Sequence, residues 1–121
     1  MHPRILLLAG LLSAAPTLAA PNPFLTPAHL RQALVHKNFV FINVHVPYEG
    51  KIAGTDLTLP YDTIGQSTKL PADRKTSIVL YCRSGHMSAI ARQTLNSMGY
   101  LNVRELQGGF NAWKAAGYEL K

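Results

Sequence analysis

Strands that look buried on both faces, alternating with helices, predict an α/β domain with a mainly parallel central sheet. Three observations carry that expectation. Residues 39–44 (Phe-Val-Phe-Ile-Asn-Val) and 77–81 (Ser-Ile-Val-Leu-Tyr) are nearly continuous apolar runs rich in β-branched and aromatic side chains, as strands covered on both faces are. Helical stretches precede and follow them. Gly99 and Gly117 stand where the two later helices should stop.

Taken in order, residues 1–20 combine a basic start (His2, Arg4), an apolar run from Ile5 to Leu12 and the small-residue ending Thr17-Leu18-Ala19-Ala20. This is the layout of a secretory signal peptide. A cut after Ala19 puts Thr17 and Ala19 at the small-residue positions, whereas a cut after Ala20 would put Leu18 there with Pro21 just beyond. The expected organisation is therefore a signal peptide over 1–19 and one domain over 20–121. The apolar run is well short of the ~20 residues that span a bilayer, and no cysteine follows it that could carry a lipid. The expected location is the periplasm or the cell exterior, with no stable membrane insertion after cleavage.

A Pro-rich connector, Pro21-Asn22-Pro23-Phe24, leads to Thr26-Pro27, a hydroxyl cap followed by proline in the first turn. The helix expected over 28–35 places Leu30, Ala33 and Leu34 on one face. After the strand at 39–44, Pro47, Gly50 and Gly54 break the pattern over 45–55. A short strand is expected over 56–60, an irregular or weakly helical stretch over 61–69, and a polar connector over 71–75. The strand at 77–81 runs into a polar loop over 82–87 that contains Gly85. Ser88 is expected to open a helix with Ile90, Ala91, Leu95 and Met98 on its apolar side, stopped by Gly99. A last strand over 102–106, a turn at Gly108-Gly109 and a helix over 110–116 stopped by Gly117 complete the chain. No repeat, low-complexity tract or second domain is apparent.

The 121 residues carry 12 Lys and Arg against 6 Asp and Glu, a formal net charge of +6, and loss of Arg4 with the signal would lower it by one. No basic run is longer than Arg74-Lys75. The charge describes a surface that favours small anions rather than nucleic acid. His29, His36, His45 and His86 have no ligand-like spacing with the single cysteine, so no metal site is expected.

That cysteine, Cys82, can close no internal disulfide and is not half of a C-x-x-C pair. It is either an inert core thiol or a reactive one. Its position between a buried strand and a helix is the edge at which α/β sheets bind ligands. Amides at a helix start lack internal partners, and a Gly-containing turn can aim more of them at one point. A sulfur anion there is stabilised, and the thiolate is the attacking form. Ser84 and Ser88 can add hydroxyl donors, and Arg83 or His86 a positive charge. The polar run Arg83-Ser84-Gly85-His86 argues against burial in hydrocarbon.

Cys82-Arg83-Ser84-Gly85-His86-Met87-Ser88 resembles the active-site loop of rhodanese-family sulfurtransferases, written C-R-S-G-x-R-S. Residues 41–49 are similar to the family's L-I-D-V-R-x-P-x-E, residues 52–61 to its I-x-G-A-x-N-I-P segment, and Val103, Leu106, Gly108, Gly109, Trp113 and Gly117 to its closing V-x-x-L-x-G-G-x-x-x-W-x-x-x-G. The resemblance covers most of residues 20–121 in the right order. It implies a three-layer α/β/α fold and sulfur transfer through a Cys82 persulfide. The donor would be a small anionic sulfane species such as thiosulfate. The acceptor would be cyanide or a thiol, including one on a partner protein. No organic cofactor is implied. The site it implies comprises catalytic Cys82 with Arg83, Ser84, Gly85, His86, Met87, Ser88 and His45 around the substrate.

The chain departs from the family pattern at Met87, where the loop arginine would help hold an anionic donor, and at Asn43 and His45, where the family has aspartate and arginine. His45 would keep a titratable group near the loop if its turn faces the site; otherwise it is a turn histidine. Glu49 reads as a solvated or structural carboxylate, Phe110 and Trp113 as core, and Gly108-Gly109 as backbone geometry, not a phosphate loop. The related cysteine phosphatase loop, C-x-x-x-x-x-R, needs arginine where Ser88 stands, or Ala89 if one residue longer. A third function remains open: a domain that binds, senses or relays sulfur without turnover on thiosulfate.

Overall fold

The computed structural model describes residues 22–121; the signal peptide expected over 1–19 lies outside them. Five strands, β1 (Phe24–Leu25), β2 (Val40–Asn43), β3 (Leu57–Thr58), β4 (Ile78–Tyr81) and β5 (Val103–Leu106), form one sheet in the order β1-β5-β4-β2-β3. Every pairing is parallel, with Ile42 opposite Leu57 and Leu80, and Leu80 opposite Glu105. The mainly parallel sheet that was expected is wholly parallel.

Alternation along the strands explains why the central runs are apolar throughout. Ile42, Val44, Ile78, Leu80 and Val103 face one side and pack with Ala91 and Leu95 of helix α2 (His86–Ser97). Phe41, Val79, Tyr81 and Leu106 face the other, where helices α1 (Pro27–Ala33) and α3 (Gly109–Ala115) bring Leu30, Phe110 and Trp113. The result is three layers. A 3-10 turn, Ile64–Gln66, adds Ile64 to the α2 side. Among the described residues, no helix is long and apolar enough to cross a membrane.

Several local expectations needed correction. The expected connector gives way to a strand at Phe24: Glu105 donates its N–H to Pro23 O (2.7 Å) and Gln107 to Leu25 O (2.8 Å). Nothing local marks a two-residue strand between prolines, because edge pairing supplies its structure. Helix α1 ends at Ala33, leaving Val35 71% exposed, although Thr26 caps it by accepting from His29 N–H at 3.1 Å, as expected. Helix α2 opens at His86, two residues before Ser88, and Ile90 is 37% exposed rather than on the packed face.

The Tyr81 hydroxyl accepts from Ile52 N–H (3.0 Å) and bonds Thr55 Oγ1 (2.6 Å), tying the segment after β2 to the sheet. Burial pushes the Tyr81 phenol's pKa up, against the opposing influence of those hydrogen bonds. With all strands parallel, the carboxyl ends of β2, β4 and β5 emerge along one edge. They lead to His45, to Cys82 and to Gly108-Gly109 respectively.

Candidate active site

Cys82 follows the last residue of β4, and its side chain is 1% exposed. The chain turns at once. Gly85 has φ +112°, a left-handed conformation that glycine adopts without cost, and its N–H points back at Cys82 Sγ at 3.0 Å. Ser88 N–H, in the first turn of α2, also donates to Sγ, at 3.4 Å. These donors and the positive end of a twelve-residue helix favour an anion at the sulfur. The thiol is buried, and main-chain donors face it.

A second clamp holds the loop from the opposite layer. At the start of α3, Phe110 N–H donates to Cys82 O (2.9 Å) and Asn111 N–H to Arg83 O (3.0 Å). Such an approach requires Gly109. A Cβ at that position would lie 2.2 Å from Cys82 O and 2.7 Å from the Arg83 carbonyl, and φ there is +56°. The Gly-Gly pair is indeed backbone geometry, and its second member seats the cysteine loop.

Cys82 borders a cleft of about 340 Å³ lined also by His45, Arg83, Ser84, Met87 and Asn111. The turn after β2 therefore does face the cysteine loop. Asn43 shapes it, accepting from His45 N–H (3.0 Å) and donating through Nδ2 to Gly50 O (3.0 Å). The His45 side chain is 3% exposed and packs edge-on against Phe110, with ring centroids 5.7 Å apart. Neither ring nitrogen has a hydrogen-bond partner among the described residues. Nε2 lies 3.3 Å from Glu49 Oε1, but out of line for a hydrogen bond. The same carboxylate oxygen is 3.7 Å from Arg83 Nε, so Glu49 stands between the histidine and the loop arginine.

Of the other residues expected at the site, Gly85 and Ser88 meet the sulfur through their amides without lining the cleft. His86 is exposed and outside the lining. Met87 is half-buried, with one side against the core beneath α2. Sequence reasoning passed over Asn111, for which no signal existed, and Glu105. The latter is 1% exposed on β5, accepting from Ser88 Oγ at 2.7 Å and Arg92 Nε at 2.6 Å. An acid two residues after Val103, and so on the same face of β5 as that buried side chain, was the available clue.

Comparison with known proteins agrees with this geometry. The model of the rhodanese-like domain family matches residues 29–116. An uncharacterized protein from Synechocystis is 34% identical over 98 residues, covering 79% of this chain and 54% of that protein. The probable adenylyltransferase/sulfurtransferase MoeZ of Mycobacterium tuberculosis is 35% identical over 101 residues, covering 78% of this chain and 25% of that protein. The chain thus spans about half of the first relative and a quarter of the second. The crystal structure of a rhodanese-related protein from Thermoplasma volcanium superposes with a TM-score of 0.67 at 26% identity, over 80% of this chain and 95% of that one. With its all-parallel sheet, its cysteine loop and sulfurtransferase relatives, the chain belongs to the rhodanese-like domain family.

Proposed function

We propose that this domain is a sulfurtransferase in which Cys82 carries a sulfane sulfur from a small donor, thiosulfate or a chemically similar species, to a thiophilic acceptor. The observation that carries this reading is the pair of main-chain N–H groups aimed at Cys82 Sγ beside an open cleft. In the first half-reaction the Cys82 thiolate attacks the outer sulfur of thiosulfate. A bond forms between the two sulfurs, the donor's own S–S bond breaks, and sulfite leaves with the electron pair. In the second, cyanide or a thiolate attacks the outer sulfur of the persulfide and the Cys82 thiolate departs. Between the two, negative charge sits one bond beyond Sγ, near first-turn amides of α2 that have no partner within the helix.

Arg83, Ser84, Met87 and His45 line the cleft and are proposed to contact the substrate, with Gly85 and Ser88 supplying donors to sulfur and His86 a nearby positive charge when protonated. Protein export is a separate proposal resting on the pattern of residues 1–19. An N-terminus at Ala20 on protein recovered from the periplasm or medium supports it, and an intact Met1 there contradicts it.

One observation favours a second reading, transfer within a protein relay rather than turnover on thiosulfate. Arg83, the only Lys or Arg among the described residues that line the cleft, lies near Glu49, and Met87 supplies no charge. Mixing the protein with thiosulfate and cyanide and measuring thiocyanate separates the two. Turnover that disappears in Cys82→Ser supports the enzyme, whereas turnover that persists in the variant removes Cys82 from the mechanism. Absence of turnover with a persulfide on Cys82 favours the relay.

A further inference from the structure

The Ser88 hydroxyl lies between the buried carboxylate of Glu105 and Cys82 Sγ. Ser88 Oγ has a single proton and three acceptors within reach: Glu105 Oε1 at 2.7 Å, Gly85 O at 3.3 Å and Cys82 Sγ at 3.7 Å. The shortest contact is also to the charged acceptor, and hydrogen bonds to an ionised carboxylate are about twice as strong as neutral ones. The proton is therefore committed to Glu105. What the hydroxyl turns toward the sulfur is a lone pair, which accepts from the S–H of a thiol and gives nothing to a thiolate.

Arg92 fixes this arrangement. It stands one turn along α2 from Ser88, and its Nε holds the other Glu105 oxygen at 2.6 Å. The arginine holds the buried carboxylate in a fixed orientation, so Ser88 and Arg92 grip it from one face of one helix. The loop amides favour the thiolate, while the serine hydroxyl that could have joined them is withheld.

We propose that Glu105, held by Arg92, is a positioning residue that withholds the Ser88 hydroxyl from the Cys82 thiolate and so restrains the reactivity of the free thiol. The inference deepens the sulfur-carrier reading, but its test does not use sulfur transfer, so either can fail alone. A restrained thiol is also a slower target for oxidants, which matters for the single cysteine of this sequence. Other charged or titratable groups around the sulfur are Arg83 and His86 on its own loop and helix, and His45 and Glu49 from the segment after β2. α3 contributes the uncharged Asn111. All of these are common to the variants compared below, so the differences between variants report on Glu105 and Ser88.

The test is the pH profile of Cys82 alkylation by iodoacetamide, read by intact mass, on folded protein with thermal unfolding as a control. Glu105→Gln is expected to displace the profile to lower pH and to speed alkylation about tenfold on its acidic limb, because the freed hydroxyl can turn to the sulfur. In a Ser88→Ala background the same change should give at most a threefold effect, since the intermediary is gone. Ser88→Ala alone keeps the proposal testable even if the Glu105 variant does not fold: its profile should stay in place or move slightly to lower pH. The proposal is overturned if Glu105→Gln leaves the profile unmoved or moves it to higher pH. It is equally overturned if the Glu105 effect is as large without Ser88, or if Ser88→Ala moves the profile to higher pH, which would mean the hydroxyl already serves the thiolate.

Discussion

The two faces of the sheet are built on different terms. Toward α1 and α3 the interior is aromatic: Phe39, Phe41, Tyr81 and Phe110 form a chain of neighbouring rings, with centroids 5.8, 4.8 and 5.5 Å apart. Toward α2 it is mostly aliphatic, with Tyr100 as a buried aromatic among Ile, Leu and Val side chains, and at the carboxyl edge it gives way to a polar corner where Cys82, Ser88 and Glu105 are all buried. Aromatic pairs add about 0.5–1.5 kcal/mol each beyond the area they bury, while buried polar groups cost free energy unless fully bonded. One face is therefore expected to carry stability and the other chemistry. The two meet at the Cys82 loop, whose sulfur is served by α2 and whose carbonyls are held by α3.

Gly109→Ala attacks that meeting point and is expected to have the largest effect. Its Cβ collides with Cys82 O, and the left-handed backbone adds about 1–3 kcal/mol of strain. Displacement of the loop should lower kcat/KM for sulfur transfer on the order of a hundredfold and lower the Tm as well. Phe110→Ala should lower stability by about 3–5 kcal/mol in urea unfolding. Its effect on Cys82 alkylation should be much smaller, because the Phe110 N–H that holds the loop is main chain. If it instead abolishes alkylation while the protein remains folded, the two faces do not divide the work.

Tyr81→Phe belongs to the aromatic face and should cost about 1–3 kcal/mol, since Ile52 N–H loses its buried acceptor. Its pH dependence is specific. The native phenol's pKa is raised above its unfolded value of about 10. Stability is therefore full below pH 10 and falls as pH rises through the native value. In Tyr81→Phe, the decline of the urea midpoint above pH 10 should be shallower than in the parent. An identical slope would contradict the assignment.

Met87→Arg on the polar side should be the gentlest. Met87 is half-buried at the cleft, so its replacement should change the Tm little. One added charge-assisted contact to a donor anion should raise kcat/KM for thiosulfate about tenfold. No change would mean that the cleft's charge does not limit the choice of donor.

The same division explains what could be read in advance. The strands containing Ile42 and Leu80 were legible because both faces of the sheet are covered, which makes Phe41, Val79 and Tyr81 apolar too. Cys82 and Gly85 were legible because a strand end, a glycine and a polar run coincide there. Glu105 was not, since only the parallel register places it opposite Leu80 and under the first turn of α2. Gly109 could be seen as a turn, but its contact with Cys82 O depends on packing between residues distant in the chain. The start of α2 was placed late because Gly85 caps it through backbone conformation, with no side-chain hydrogen bond to mark the position.

The most direct measurement is the intact mass of the protein after incubation with a sulfane sulfur donor and removal of excess reagent. The account predicts the gain of one sulfur atom, located by peptide mapping on the segment containing Cys82 and removed by cyanide. Persistent absence of that sulfur with thiosulfate and with a small persulfide alike, while the same thiol still reacts with iodoacetamide, would contradict it.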